Sequence, residues 1–237
     1  MEENQAKKII ITTQQQALHL LKNATTETPR ILDFDETLFL RNSTAEYLNS
    51  LRPRLIGLLL LIILKLIRPW KWLPQPFRGI QIRDWFLVLI PTILLPWTLL
   101  LWQKQAQKLA ENYGNGELIT AVNHNPLPPI IVASLGFNFI INPILKHLPL
   151  RHDLMVGCRF WQGAKDRGKG KLLMLQEALS DSELQSAIVI TDSEDDLPLL
   201  HIVAQPCLII WSLAQYIPPF QDILSVLKGK KLKVKRS

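Results

Sequence analysis

The sequence predicts an α/β protein, a doubly wound parallel sheet with an inserted α-helical cap, and three observations carry that reading. Five short apolar runs, at 31–34, 130–134, 154–158, 187–191 and 207–211, have the length and composition of buried strands. Helical patterns at 138–148, 171–179, 197–203 and 219–227 separate the later ones, so strand and helix alternate. The interval 39–126 breaks this rhythm with two long apolar stretches. In such a sheet, functional side chains belong at the carboxyl ends of the strands.

Length and composition bound the rest. The chain has 237 residues, 48% of them hydrophobic and 20% charged, which excludes a disordered or collagen-like protein. No fixed-period repeat marks a solenoid or propeller. Two cysteines, Cys158 and Cys207, can build neither a disulfide framework nor a four-ligand zinc site, and a reducing cytosol is the expected compartment. At the start, 1–8 is polar and 9–11 is too short for the apolar core of an export signal. Apolar positions from Ile9 to Leu21 predict an amphipathic helix over 6–22, followed by a Thr-rich loop at 24–29.

Charge is unevenly placed. Of the net +7, six positive charges fall in 228–236, leaving +1 for the remainder. Within that remainder, 38–126 holds ten basic and four acidic residues, whereas 1–37 and 127–227 together hold eleven and sixteen. An acidic body thus carries a basic insertion and a basic tail, which points to an anionic surface as partner. The aromatic pattern separates membrane from nucleic acid. Five of the seven tryptophans, Trp70, Trp72, Trp85, Trp97 and Trp102, lie in or beside the apolar runs 55–67 and 85–102, and no acid occurs between Leu51 and Arg83. Tryptophan beside Arg and Lys at the ends of apolar helices is the pattern of a bilayer interface. Nucleic-acid binding would interleave the aromatics with the basic residues instead.

The run 85–102 has no charge in eighteen residues and as one helix would reach ~27 Å, near the ~30 Å hydrocarbon core, whereas 55–67 reaches only about 20 Å. The expectation is a membrane-associated helical hairpin, either including a transmembrane helix or lying in the interface. Because the body precedes and follows the hairpin, both ends belong on one side, expected to be cytoplasmic. Arg68, Lys71, Arg78 and Arg83 make the connecting loop basic too, which favours a hairpin returning to the same face. A soluble cap whose leucines bury against one another is the competing reading, supported by Lys65, Pro91 and Pro96.

The first strand runs into Asp33-Phe34-Asp35-Glu36-Thr37. Where a strand breaks into a loop, both aspartates can converge on one metal and one substrate, which suits covalent phosphoryl transfer. One carboxylate attacks phosphorus and the other manages the leaving-group proton. Further along, the run 130–134 ends in Ser134, Gly168-Lys169-Gly170-Lys171 opens a helix, and 187–191 leads into Asp192-Ser193-Glu194-Asp195-Asp196.

These four pieces, in this order, resemble the motifs of the haloacid dehalogenase-like (HAD) hydrolases, in the branch related to phosphoserine phosphatase, over about 30–38 and 127–212. The resemblance implies a HAD-like core from 1–38 and 127–227, a cap from 39–126 and a tail from 228–237. It implies a Mg²⁺-dependent phosphatase with Asp33 as nucleophile and Asp35 as general acid and base. Ser134 and Lys171 would hold and neutralise the phosphoryl group, with Thr37 among the substrate-binding residues. Mg²⁺ would be held by Asp33, the backbone carbonyl of Asp35 and Asp192, with Asp196 orienting Lys171 or the metal's water shell and Asp195 its neighbour.

Asn42 stands where phosphoserine-specific members place a Glu, so phosphoserine is not the expected substrate. Glu36 replaces the commoner Gly or Ser, a change expected to be tolerated. From location, the expected substrate is a lipid or prenyl phosphate at the membrane surface, with no nucleic acid and no obligate protein partner. Two alternatives are a membrane-tethered phosphatase of small metabolites and a non-catalytic membrane module. The near P-loop at 163–169 lacks the Ser or Thr that binds Mg²⁺, since Gly170 follows Lys169. The five histidines show no metal-binding spacing.

Overall fold

The computed structural model describes residues 10–25, 27–73, 80–125 and 129–227. The first part of the expected N-terminal helix, residue 26, Arg78 and the basic tail lie outside these residues.

In chain order the elements are α1 (Gln14–Asn23), β1 (Arg30–Asp33), α2 (Ser43–Asn49), α3 (Arg54–Ile67), α4 (Ile80–Leu94), α5 (Thr98–Tyr113) and α6 (Gly116–Asn123). They continue with β2 (Ile130–Phe137), α7 (Asn138–Leu145), β3 (Leu154–Cys158), α8 (Gly163–Gln176), α9 (Asp181–Ser186), β4 (Ile188–Thr191), α10 (Leu197–Ile202), β5 (Gln205–Leu208) and α11 (Gln221–Leu227). The five strands form one parallel sheet in the order β3-β2-β1-β4-β5. All five predicted runs are strands, each shifted at its ends by no more than three residues. β1 lies at the centre and β1 and β4 are buried throughout, as expected of strands covered on both faces.

Helix α1 is shorter than the pattern suggested. Ile11 pairs with Cys207 beside β5, donating its amide to the Pro206 carbonyl and accepting from Leu208. Its β-branched side chain in the run 9–11 suits an extended segment better than a helix.

The insertion departs most from expectation. Its second apolar run is two helices: α4 stops at Leu94, and residues Ile82–Leu94 and Thr98–Tyr113 are bent 113° apart. Pro96 explains the corner, because it lacks an amide donor and disfavours helical geometry at Leu95. Among the described residues no single helix is long and apolar enough to cross a membrane. Three of the five tryptophans belong to the protein interior rather than to an interface. Trp102 is fully buried and donates to the Ile140 carbonyl (3.0 Å), Trp85 donates to the Phe160 carbonyl (2.8 Å), and Trp70 is buried. Helix α5 accordingly packs on α7, so the second half of the insertion is part of the body.

Candidate active site

The sheet order sets the site. Strands β1, β2 and β4 are adjacent and parallel, so Asp33, Ser134 and the turn after Thr191 emerge at the same edge. They line one open cavity of about 930 Å³, together with Asp35, Glu36, Lys171, Asp192, Asp195 and Asp196. The cap closes its far side with Leu61, Lys65, Arg68, Trp70 and Lys71.

Asp33 ends β1 and is buried. Its Oδ1 accepts from the Phe34 amide (2.7 Å) and faces Lys171 Nζ (2.9 Å), and its Oδ2 lies 2.9 Å from Thr191 Oγ1. A carboxylate offers about four acceptor positions, so three partners leave one free for an incoming atom. Burial pushes Asp33 up to about 6, against the pull of Lys171 and with the charges of Asp196 and Asp192 adding to the rise.

Lys171 is placed by Gly170. That residue has φ 76° and ψ 167°, which interrupts α8 and starts its second half at the lysine. A side chain would be strained in that conformation even though a Cβ would meet nothing within 4 Å. Lys171 Nζ then reaches Asp33 and also donates to Asp196 Oδ2 (2.6 Å). Burial alone would lower its pKa, but the two carboxylates outweigh that and raise it, so the ammonium stays charged.

Asp35 sits in the loop, its Oδ1 accepting from the Ser43 amide (2.5 Å) at the start of α2 and its Oδ2 facing Ser134 Oγ at 3.3 Å. Burial raises it to about 6, partly offset by the Ser43 amide. Ser134 Oγ also accepts from the Gly136 amide (2.9 Å). Gly136 is needed here for space: a Cβ would lie 3.1 Å from both Asp35 Oδ2 and Ser134 Oγ.

One predicted role changes. Thr37 is fully buried and donates to Asp192 Oδ1 (3.0 Å), so it holds a carboxylate instead of touching substrate. Asp196, expected to orient Lys171 or the metal's water shell, is buried with its Oδ2 bound to Lys171 and 2.5 Å from Thr191 Oγ1, which makes it the lysine's partner. Asp195 is exposed. Thr191, which the motif reading passed over, bridges Asp33 and Asp196 while accepting from the Ser193 amide (3.2 Å). A hydroxyl has one proton, so Thr191 donates to one of the two carboxylates at a time.

The residues fit a small hard cation. Asp33, Asp35 and Asp192 are all carboxylates whose pKa burial raises, an excess of negative charge that Lys171 alone does not balance. Among the described residues no group of three or more His, Cys, Asp or Glu side chains is arranged to hold a metal ion by itself. Two carboxylates and a backbone carbonyl are a sufficient set for Mg²⁺, which keeps several waters.

No family model matches the sequence, and no curated protein matches it. Solved structures do. A protein of unknown function from Bordetella pertussis Tohama I superposes with a TM-score of 0.55 at 13% identity, over 87% of this chain and 98% of that one. That likeness shows a shared α/β fold. The parallel sheet of this chain places the four motifs that resemble those of the HAD hydrolases around one cavity. Weaker superpositions, at TM-scores of 0.42 and 0.39, are with phosphoserine phosphatase in apo form (17% identity, 86% of this chain and 100% of that one) and with a phospho-aspartyl intermediate analogue of phosphoserine phosphatase (15%, 87% and 100%). At those scores neither bears on the function of this chain.

Proposed function

We propose that the chain is a Mg²⁺-dependent phosphomonoesterase that works through an aspartyl-phosphate at Asp33. The observation that carries this reading is the buried triad in which Lys171 Nζ lies 2.9 Å from Asp33 and 2.6 Å from Asp196, with Asp35 and Ser134 on the same cavity wall. A fixed ammonium and fixed hydroxyl beside a carboxylate nucleophile are what a phosphoryl transition state rewards.

In the first step an Asp33 oxygen attacks phosphorus and the bond to the leaving oxygen breaks, that oxygen taking a proton from Asp35. Burial keeps Asp35 protonated to higher pH than an ordinary carboxyl, which suits the acid role. In the second step Asp35 removes a proton from water as the water attacks phosphorus, and Asp33 and inorganic phosphate are released. Lys171 shifts from Asp33 towards the phosphoryl oxygens, Asp196 and Thr191 keep it aligned, and Ser134 donates to one of those oxygens. Held by Asp33, the Asp35 carbonyl and Asp192, Mg²⁺ would supply charge neutralisation on the phosphoryl oxygens.

The substrate is an amphiphilic phosphomonoester, a lipid or prenyl phosphate, met at the cytoplasmic surface of a membrane. Support comes from the cap side of the cavity, where Lys65, Arg68 and Lys71 stand beside the apolar Leu61 and Trp70. Release of phosphate from an aryl phosphate, with and without Mg²⁺, tests the chemistry. Activity should require Mg²⁺ and vanish in Asp33→Asn, and equal activity in that variant would overturn the mechanism. A panel of soluble and lipid phosphates in detergent tests the substrate, preference for sugar phosphates being the contrary result.

A further inference from the structure

Helix α3 turns an apolar face outward. Leu55, Ile56, Leu59, Ile62, Ile63, Leu66 and Ile67 are between 36% and 75% exposed, whereas Gly57, Leu58, Leu61 and Leu64 are buried. At 100° per residue the exposed set spans an arc of about 140°, a continuous stripe along a helix ~21 Å long. Seven exposed aliphatics in one such helix exceed the scattered apolar residues that any surface carries.

The surroundings say what covers it. At the amino end of α3, Trp97 donates its indole N–H to the Arg52 carbonyl (2.6 Å), which brings the exposed α4–α5 corner, with Ile93, Leu94 and Leu100, alongside the stripe. At the carboxyl end stands Trp72, 72% exposed, just after the turn at Pro69–Lys71. Lys65, Arg68 and Lys71 are exposed there and, among the described residues, have no acidic partner. The stripe therefore has a tryptophan at each end and cations beside it, with no acid in the sequence from 51 to 82. A second copy would present the same acid-free segment, so pairing this face with itself would leave the cations uncompensated. An anionic lipid leaflet offers both complements, acyl chains for the stripe and headgroups for the cations.

We infer that this face is a one-leaflet membrane-docking surface, with α3 and the α4–α5 corner lying in the interface plane and no segment of α3, α4 or α5 crossing the bilayer. Lys65, Arg68 and Lys71 belong both to this surface and to the cavity wall, so docking sets the cavity mouth at headgroup level. An amphiphilic phosphate then reaches Asp33 without leaving the leaflet. The route of the substrate rests on the proposed phosphatase reading; the docking does not.

The test uses the full chain, diluted from detergent into vesicles of phosphatidylcholine with three-tenths phosphatidylglycerol, and the double variant Leu59→Glu, Leu66→Glu. Both positions point outward, so the fold and the hydrolysis of a soluble aryl phosphate should be unchanged. Co-sedimentation of the variant should fall by about tenfold or more, since each change places a charge where the helix meets acyl chains. Binding by the wild type should weaken, but persist, in high salt. Equal sedimentation of variant and wild type would overturn the proposal, as would wild-type dimers that the variant breaks without any vesicle binding. Vesicle binding by a wild type inert towards every phosphate would leave docking standing and overturn the phosphatase reading alone.

Discussion

At Glu36 the backbone has φ 59°, the left-handed region that a side chain adopts at a cost of about 1 kcal/mol. Glu36→Gly should relieve that, raising the melting temperature by roughly 2–4 °C in a chain of this size, as scanning calorimetry would read. The residue lines the cavity, which explains its toleration where Gly or Ser is commoner: the loop is held from both sides, by Asp35 on the Ser43 amide and Thr37 on Asp192. Thr191→Val removes the hydroxyl that ties Asp33 to Asp196. We expect kcat to fall by about tenfold to a hundredfold with KM little changed, because the lost group aligns the nucleophile and does not bind substrate. The charged residues of this site were legible in the sequence because their chemistry is carried by residue type at strand ends. Thr191 and Gly136 were not legible as site residues, since a strand-ending threonine and a glycine near a strand's end acquire their roles only from what the fold packs against them. Thr37 was misread for the same reason: its burial against Asp192 depends on a residue 155 positions away.

Among the elements, α8 shows how backbone shape serves the site. Gly170→Ala should cost about 1–3 kcal/mol and misplace Lys171, so activity should drop more than stability, measured by denaturant unfolding beside phosphate release. In the first half of the same helix, buried Asp166 accepts from the Arg159 amide, Nε and Nη2, which lowers its pKa below 3.8. The stability from that lowered pKa is present above the unfolded value and is lost as pH falls through the folded one. Asp166→Asn should therefore melt at a lower temperature than wild type at neutral pH, with the gap narrowing below about pH 4. The corner at 95–97 was the element least legible in sequence. An uncharged run reads as one helix by hydropathy, and only Pro96 signals the break that folds α5 back onto α7.

In the whole molecule, a parallel sheet that gathers carboxylates at one edge is joined to a cap whose outer face is apolar and basic. The sheet was legible because each strand falls on or beside a compact apolar run. The insertion was legible in composition but not in fate: Trp102 is buried and Trp85 half-buried against the body, whereas α3 keeps its apolar stripe outside. Hydropathy alone cannot tell these apart, because both runs are strongly apolar and packing decides which positions are covered. The central claim is covalent phosphoryl transfer to Asp33, and trapping the intermediate tests it most directly. The enzyme would be quenched during turnover of a phosphomonoester, reduced with borohydride, digested and sequenced by mass spectrometry. The account predicts homoserine in place of aspartate at position 33, dependent on substrate and lost in Asp33→Asn. Turnover with no modification at Asp33, or with the modification at Asp35 or Asp192, would contradict it.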